Sequence, residues 1–349
     1  MALSWIQNYL SDRKQFVLID GQQSAETSLV FGVPQGCVLG PVLFIMYTAP
    51  LTTLIENHCV LHEIFADDTQ INHSASHDKY PDLVLSLQEC VRDVGAWMEE
   101  NKLKLNDDKT EAMRFSYSTP THAKSISELP QAISLNNIDI KFSDTSRDLG
   151  VFFDKDLSMK QHVVQTCKAA RMEIRRIGSI RQYLTEDATK RLVCSGILSR
   201  LDNCNSLLAE CPKSVTKPLQ LVQNAAARLV FRTHMKQSVT PLLKQLHWLP
   251  VEQRIKYKIC CIFYQIAAGT APQYLSDLVQ KNNPERVVRS ASQNKFVKAP
   301  KYQRDDHGGR CLSVAADHIW NKLPLSLRLS PSLPSSKANL KTHLFRETF

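Results

Sequence analysis

Apolar residues recur every three or four positions along several stretches of the chain, and this spacing predicts helices. Residues 80–100 show it most clearly, with the apolar positions Leu83, Leu87, Cys90, Val94 and Trp97. The spacing returns at 163–177 and at 215–229, where it marks one face of each helix. Further helices are predicted at residues 3–10, from Val38 or Pro41 to about Glu56, at 251–268 and at 271–280.

Shorter apolar runs between Gly, Pro, Asn and Asp residues predict strands. They lie at residues 14–20, 27–31, 60–66, 69–72, 110–116, 132–135, 138–142 and 148–153. All of them precede residue 157, after which only helical patterns follow. The sequence therefore predicts an α+β fold, with mixed strands and helices first and an all-α region after them. From about residue 283 the chain is rich in Pro, Ser and Arg and is expected to be a loosely structured basic tail.

One apolar stretch, Cys37–Ile55, is long enough to cross a bilayer, and residues 27–55 carry no charge. Gly40, Pro41 and Pro50 interrupt it, and basic flanks are missing, so no membrane partner is expected. A membrane protein anchored through this stretch stays an alternative. The N-terminus lacks the pattern of a signal peptide, and ten cysteines without a C-x-x-C pair suit free thiols. The expected location is intracellular, cytoplasmic or nuclear, and not secreted.

The net charge of +9 hides two halves of opposite sign. Residues 1–159 hold 12 Lys and Arg against 22 Asp and Glu, whereas residues 160–349 hold 31 against 12. This asymmetry is typical of an acidic half that holds cations and a basic half that meets a polyanion. Two solvated surfaces of opposite sign that pack together remain the alternative interpretation.

Asp67 and Asp68 stand side by side in I-F-A-D-D-T-Q, between two apolar runs. Carboxylates about 4 Å apart at an effective dielectric of about 20 repel by roughly 4 kcal/mol. The other adjacent pairs, 107/108 and 305/306, lie in polar loops. A tight hairpin between apolar strands would hold the first pair rigidly, and its repulsion calls for a cation. Oxygen ligands on a rigid turn suit Mg²⁺, which substrate phosphates usually complete.

The loop G-V-P-Q-G at residues 32–36 is predicted to lie near this pair. A helix of roughly 18 residues leads about 27 Å away from the loop, and a seven-residue strand returns about 23 Å. Gly32 and Gly36 permit a close backbone approach, and the Gln35 amide is both donor and acceptor. The residues thus favour a site for Mg²⁺ and a nucleotide. A helix-packing loop beside an ordinary acidic hairpin remains the second interpretation.

G-V-P-Q-G-C-V-L-G-P followed by F-A-D-D-T-Q resembles the reverse transcriptases of non-LTR retrotransposons, in the jockey-like branch of LINE-type elements. The resemblance continues in W-I-Q-N-Y-L-S-D-R-K-Q-F-V, N-K-L-K-L-N-D-D-K-T-E and D-L-G-V-F-F-D. It extends more loosely to L-H-W-L-P-V-E-Q-R-I-K-Y-K-I and L-K-T-H-L-F. Phe65 stands where Tyr is commoner in the family, and Cys37 where Ser is commoner.

The resemblance implies a partial polymerase palm over residues 1–156, made of an antiparallel sheet with helices. A helical thumb and C-terminal region over 157–282 and the basic tail over 283–349 would follow. Asp67 and Asp68 would bind Mg²⁺ in a two-metal mechanism. The other implied site residues are Lys109 near the departing pyrophosphate, and Pro34, Gln35, Gly36, Phe65 and Ala66 at the template and incoming nucleotide. Lys168, Arg171 and Arg175 would grip the nucleic-acid backbone.

The family carries an earlier strand with another metal-binding Asp, which this sequence does not show ahead of the W-I-Q-N-Y-L helix. Asp12 and Asp20 are in the wrong setting to replace it. The sequence hypothesis is therefore a 5′-truncated RNA-directed DNA polymerase with little or no activity alone. Its partners would be an RNA template and a DNA primer, with no small-molecule metabolite. The alternative is a non-catalytic nucleic-acid-binding protein that retains the basic helical half.

Overall fold

A computed structural model describes residues 2–33, 36–115, 130–135, 138–234, 236–279 and 310–349. The chain forms two compact units, residues 1–143 and 144–349. Short antiparallel strand pairs with helices in the first part and helices in the second confirm the predicted α+β fold. The domain boundaries at 156/157 and 282/283 stay predictions. No helix in the described part of the chain is both long and apolar enough to cross a membrane.

Within its described residues, the N-terminal unit contains three α-helices and four antiparallel strand pairs. The helices are α1 (Ala2–Leu10), α2 (Gly40–Glu56) and α3 (Tyr80–Glu100). The strands are β1 (Arg13–Gln15), β2 (Leu18–Ile19), β3 (Gln22–Gln23), β4 (Thr27–Leu29), β5 (Leu61–Phe65), β6 (Asp68–Asn72), β7 (Ala132–Leu135) and β8 (Ile138–Lys141). They pair antiparallel as β1–β4, β2–β3, β5–β6 and β7–β8.

A small apolar core joins α2, α3 and the β5–β6 hairpin. Its buried members are Leu51, Ile55, Val60, Cys90 and Val94. Ile64 and Ile71 of the hairpin are partly buried and pack against these residues. Helix α3 forms because its apolar positions follow helical spacing, and a proline occupies its first turn. The hairpin is therefore fixed to two helices through one of its faces.

The strand predicted at 110–116 is wrong for the residues that the structure describes. Asp107–Lys109 form a turn of 3₁₀ helix, and Ala112 alone makes a bridge, to Phe142. The segment begins with the polar residues Thr110 and Glu111, and its larger apolar residues are only Met113 and Phe115, so little apolar area is available to hold it in a sheet. Residue 116 lies outside the described residues.

The helical unit opens with a hairpin of β9 (Thr145–Asp148) and β10 (Val151–Asp154). The longer helices that follow are α4 (Lys160–Ile180), α5 (Glu186–Val193), α7 (Lys213–Phe231), α8 (Thr240–Leu246) and α9 (Val251–Ala267). A π-helical segment (Cys194–Leu198) and the short helix α6 (Ser199–Asp202) connect α5 to α7. The short helix α10 (Gln273–Asp277) is shorter than the predicted 271–280.

One continuous core holds this unit together. Helices α4, α7 and α9 supply fully buried residues such as Ala170, Leu219, Val222, Ile259 and Phe263. The apolar stripes read from the sequence at 163–177 and 215–229 are the inward faces of α4 and α7. The helical region of the sequence hypothesis thus has a core of its own.

The expectation of a loosely structured tail from 283 is wrong for residues 310–349. They form α11 (Leu312–Ile319), α12 (Leu325–Arg328) and α13 (Leu333–Thr348). Trp320, Leu340 and Leu344 are buried in the core of the helical unit. The Pro and Ser residues that suggested a loop instead start α13, where the Ser332 side chain accepts a hydrogen bond from the Ser335 amide.

Candidate functional site

The two adjacent aspartates lie at the tip of the β5–β6 hairpin. Asp67 occupies the turn, and Asp68 is the first residue of β6, paired in register with Phe65. Both aspartate side chains are exposed. The predicted turn is therefore one residue earlier, at Ala66–Asp67, and Asp68 belongs to the returning strand. The two carboxylates therefore face solvent at the tip of a short, hydrogen-bonded hairpin.

Ala66 takes a left-handed backbone conformation, with φ of 56°. Residues other than Gly rarely adopt this region, and each instance costs on the order of 1 kcal/mol. The tight turn gives the hairpin a loop of two residues. Strained positions of this kind cluster at functional sites. The strained backbone at Ala66 is thus a second feature of the hairpin tip that is typical of functional sites, beside the aspartate pair.

The hairpin has one anchored face and one open face. Ile64 and Ile71 pack toward the core of the unit, whereas Leu61 and Phe65 are 74% and 64% exposed. Large apolar side chains that stay exposed beside carboxylates suit a surface that contacts a bulky ligand. The anchored face restricts movement of the tip, which a metal site requires.

The predicted nucleotide loop is only partly described. Pro34 and Gln35 lie outside the described residues. Gly36 has φ of +82°, a conformation that favours glycine, and it stands four residues before α2. The Cys37 thiol beside the Tyr9 hydroxyl raises the pKa of Tyr9, which places α1 next to this loop.

Helix α2 and strand β5 relate the loop to the hairpin tip. The 17 residues of α2 lead away from Gly36 over roughly 25 Å. The five residues of β5 run back over roughly 16 Å while packed on α2. That the tip of the hairpin lies near the Gly36 loop stays a prediction.

Lys109 is exposed and ends the 3₁₀ turn Asp107–Lys109. Within the described residues it makes no ion pair with Asp67 or Asp68. Its position near a leaving pyrophosphate stays a prediction. No contact of Lys109 within the described residues involves Asp67 or Asp68.

The donor set at the hairpin fits part of a magnesium site. Asp67 and Asp68 offer the hard oxygen ligands that Mg²⁺ prefers. In the described part of the chain, no group of three or more His, Cys, Asp or Glu side chains is arranged to hold a metal ion. The aspartate pair would therefore supply one side of the coordination sphere, and water and substrate phosphates would supply others.

The basic residues predicted to contact a nucleic-acid backbone lie on one exposed face of α4. Lys168, Arg171 and Arg175 are all exposed, and their spacing puts them on one side of the helix. Among the described residues none of the three forms an ion pair with a carboxylate. Their charges are available to a polyanion.

Comparison with known proteins relates the chain to a family of polymerases. Residues 1–151 match the family model for reverse transcriptase (RNA-dependent DNA polymerase). The "Probable RNA-directed DNA polymerase from transposon BS" of Drosophila melanogaster is 25% identical over 258 residues, 72% of this chain and 28% of that protein. The "RNA-directed DNA polymerase from mobile element jockey" of the same species is 25% identical over 177 residues, 49% of this chain and 18% of that protein.

The "Probable RNA-directed DNA polymerase from transposon X-element" of Drosophila melanogaster is 23% identical over 238 residues, 64% of this chain and 24% of that protein. The N-terminal part of the chain is thus a reverse transcriptase domain. More particularly, the chain is related to the reverse transcriptases of non-LTR retrotransposons, as its motifs indicated. It spans less than a third of the length of these relatives.

Proposed function

We propose that this chain contributes the aspartate hairpin of an RNA-directed DNA polymerase site and a helical surface that holds the template and primer. The observation that carries the proposal is the exposed Asp67–Asp68 tip inside the segment that matches the reverse transcriptase family. RNA template and DNA primer are the proposed partners. Its ten free cysteines support action in a reducing, intracellular compartment.

Asp67 and Asp68 would hold Mg²⁺, which when bound lowers the pKa of a primer 3′-hydroxyl and neutralises charge on the transferring phosphoryl group. The protein's own part is to fix the two carboxylates at a turn that cannot move far. The open face of the hairpin, with Phe65 beside the tip, would contact the primer end. Gly36 and its loop would contact the template strand and the incoming nucleotide.

We further propose that the chain alone extends a primer poorly. Two-metal catalysis needs ligands on more than one side of the ions, and two neighbouring carboxylates supply one side. In the described residues no third carboxylate joins them. A polypeptide that supplies the facing carboxylate would then be needed for full activity.

Primer extension tests both parts of the proposal. Purified chain is given an oligo(dT)-primed RNA template, dTTP and Mg²⁺, and extension is followed by gel electrophoresis. We expect tight template–primer binding with little extension. Asp67→Asn and Asp68→Asn should leave binding in Mg²⁺-free buffer unchanged, and Asp139→Asn, an exposed residue elsewhere in the unit, is the matched control.

Robust extension that Asp67→Asn abolishes would show that the chain is active alone and would support the aspartates as metal ligands. Extension that survives both substitutions would overturn the assignment of the hairpin as the catalytic centre. Failure to bind any template–primer would overturn the proposed function itself.

A second candidate function, a non-catalytic nucleic-acid-binding protein, is favoured by Lys168, Arg171 and Arg175 of α4, which form no ion pair with a carboxylate within the described residues. It requires only the helical unit and not the hairpin. Template–primer binding by the parent chain that Mg²⁺ does not strengthen, together with a complete lack of extension, would support this candidate.

A further inference from the structure

A cavity of about 480 Å³ lies within the helical unit, away from the aspartate hairpin in the sequence. The β9–β10 hairpin, helix α4, the π-helical segment and α6 form its walls. Its size falls in the range of small-molecule sites, about 300–1,000 Å³. The residues used below are Arg147, Phe152, His162, Gln165, Thr166 and Arg200.

The cavity carries positive charge without an acidic lining residue. Arg147 and Arg200 line it, and none of its described lining residues is Asp or Glu. Neither arginine forms an ion pair with a carboxylate in the described residues. Arg147 lies over the ring of Phe152, its cross-strand partner, at 5.5 Å from the ring centroid. Arg200 Nε donates a hydrogen bond to the Gly196 carbonyl at 3.0 Å, and its other N–H groups have no hydrogen-bond partner within the described residues. Two guanidinium groups without a carboxylate partner at one cavity are suited to a phosphate.

Neutral hydrogen-bonding groups complete the walls. Gln165 and Thr166 line the cavity, and neither side chain makes a hydrogen bond within the described part of the chain. Buried His162 accepts a hydrogen bond at Nδ1 from the Phe152 amide at 3.4 Å, and burial lowers its pKa. The neutral ring then carries its proton on Nε2 and can donate it. Amide, hydroxyl and imidazole groups of this kind recognise the polar edge of a base.

The backbone around the cavity is irregular in two places. Ser195 belongs to the π-helical segment Cys194–Leu198, and such segments occur often at functional sites. Leu149 at the tip of the β9–β10 hairpin has φ of 42°, next to Gly150, which lines the cavity. A strained residue other than Gly persists only where the surroundings fix it. Both irregularities border the same cavity.

The cavity lies on a different side of α4 from the predicted backbone-binding face. His162, Gln165, Thr166 and Ala169 line it. At about 100° per residue, the centre of the set Lys168, Arg171 and Arg175 lies about 140° around the helix from the centre of the lining set, although Lys168 is only about 60° from Gln165. Glu173, the next residue along the cavity side, pairs with Arg176 at 3.5 Å. Arg147 and Arg200 are the charged residues among those that line the cavity.

We propose that this cavity binds a nucleoside 5′-monophosphate, either free or as the 5′ end of a nucleic-acid strand. Arg147 and Arg200 hold the phosphate, and Gln165 and Thr166 bind the base. The site is separate from the aspartate hairpin and does not depend on polymerase activity. It gives the helical unit a preference for phosphorylated ends over the interior of a duplex.

Calorimetric titration of the full chain with dTMP, and with thymidine as the unphosphorylated probe, tests the site. We expect dTMP to bind and thymidine to bind far more weakly. The double variant Arg147→Gln/Arg200→Gln should weaken dTMP binding by about tenfold or more, because each charged hydrogen bond contributes strongly. Lys213→Gln/Lys217→Gln removes the same charge from exposed positions on α7 that do not line the cavity and should leave dTMP binding unchanged.

Competition distinguishes the two sources of the ligand. Displacement of dTMP by a 5′-phosphorylated oligo(dT), but not by its 5′-hydroxyl form, identifies a strand end, and lack of displacement by either identifies a free nucleotide. Both results support the site. Equal affinity for dTMP and thymidine, no binding of dTMP, or equal losses in the two double variants would overturn it. Binding of a template–primer duplex without terminal phosphates tests the proposed polymerase function separately, because such a duplex has no terminal phosphate for the cavity to bind.

Discussion

Arg181 is a buried charge that joins the ends of two helices. It follows the C-terminus of α4, and its guanidinium donates hydrogen bonds to the carbonyls of Leu229 at 2.8 Å, Leu184 at 2.7 Å and Val230 at 2.5 Å. The last carbonyls of a helix have no partner within the helix, and the negative end of its dipole favours a cation. Arg232, in return, donates to the Arg181 carbonyl at 2.7 Å. Helices α4 and α7 are therefore fastened at one end.

Replacing Arg181 tests whether its hydrogen bonds to the end of α7 stabilise the unit. Arg181→Met keeps the apolar stem but leaves the buried carbonyls of α7 without a donor, so the free energy of unfolding should fall by roughly 2–4 kcal/mol. Urea denaturation followed by circular dichroism measures the change. Arg171→Met, on the exposed face of α4, is the control and should stay within about 0.5 kcal/mol of the parent. Equal effects in both variants would mean that the hydrogen bonds to α7 are not stabilising.

The sequence located some single residues better than others. Asp67 and Asp68 were predictable because both lie between apolar strands and their spacing is local. Arg147 and Arg200 were not, since they line one cavity only when a hairpin packs beside a helix and a π-helical segment that begins more than 40 positions further along the chain. No local pattern marks either arginine. Contacts that depend on tertiary packing leave little trace in the order of polar and apolar residues.

Among the elements, the long amphipathic helices were the most predictable. Helix α3 begins and ends at the predicted residues, 80 and 100, because a continuous apolar stripe and a proline at its start agree. The predicted strand at 148–153 is instead the turn and second strand of a hairpin. Gly150, with φ of +85°, allows the chain to reverse there. A short apolar run does not show on which side of a turn its partner lies.

The exposed cationic face of α4 carries a prediction for nucleic-acid binding. If Lys168, Arg171 and Arg175 each neutralise one phosphate, their replacement by Gln lowers the slope of log binding constant against log salt by about 0.9 per residue on duplex. Filter binding of the triple variant to a blunt, unphosphorylated duplex at several salt concentrations measures this slope. We expect a uniform loss of affinity across sequences, because backbone contacts read no bases.

A triple variant on another helical surface, Lys213→Gln/Lys217→Gln/Lys244→Gln, is the matched control for charge. These lysines are exposed, and the variant should keep the parent slope if the duplex lies along α4. An unchanged slope in the α4 variant would contradict the assigned role of that face. Similar losses in both variants would indicate binding through the overall charge of the helical half.

At the scale of the whole molecule, the two units have cores of very different size. The N-terminal unit buries the cluster around Leu51 and Ile55, whereas the helical unit buries a much larger set drawn from α4, α7, α9 and α13. Many large apolar residues of the N-terminal unit are exposed, among them Val38 at 92% and Leu61 at 74%. Stability rises with the apolar area removed from water, so the two units are expected to differ in stability.

The difference predicts two separate unfolding transitions, with the N-terminal unit unfolding at lower denaturant. Leu51 and Leu219 form a matched pair, since each is 1% exposed in the core of its own unit. Leu51→Ala should lower the midpoint of only the first transition, and Leu219→Ala that of only the second. Each substitution should reduce the free energy of unfolding of its own unit by about 2–5 kcal/mol, as expected for a buried leucine. Urea titration followed by far-ultraviolet circular dichroism, with template–primer absent, resolves them. One cooperative transition that both substitutions shift equally would show that the two cores unfold as a single unit.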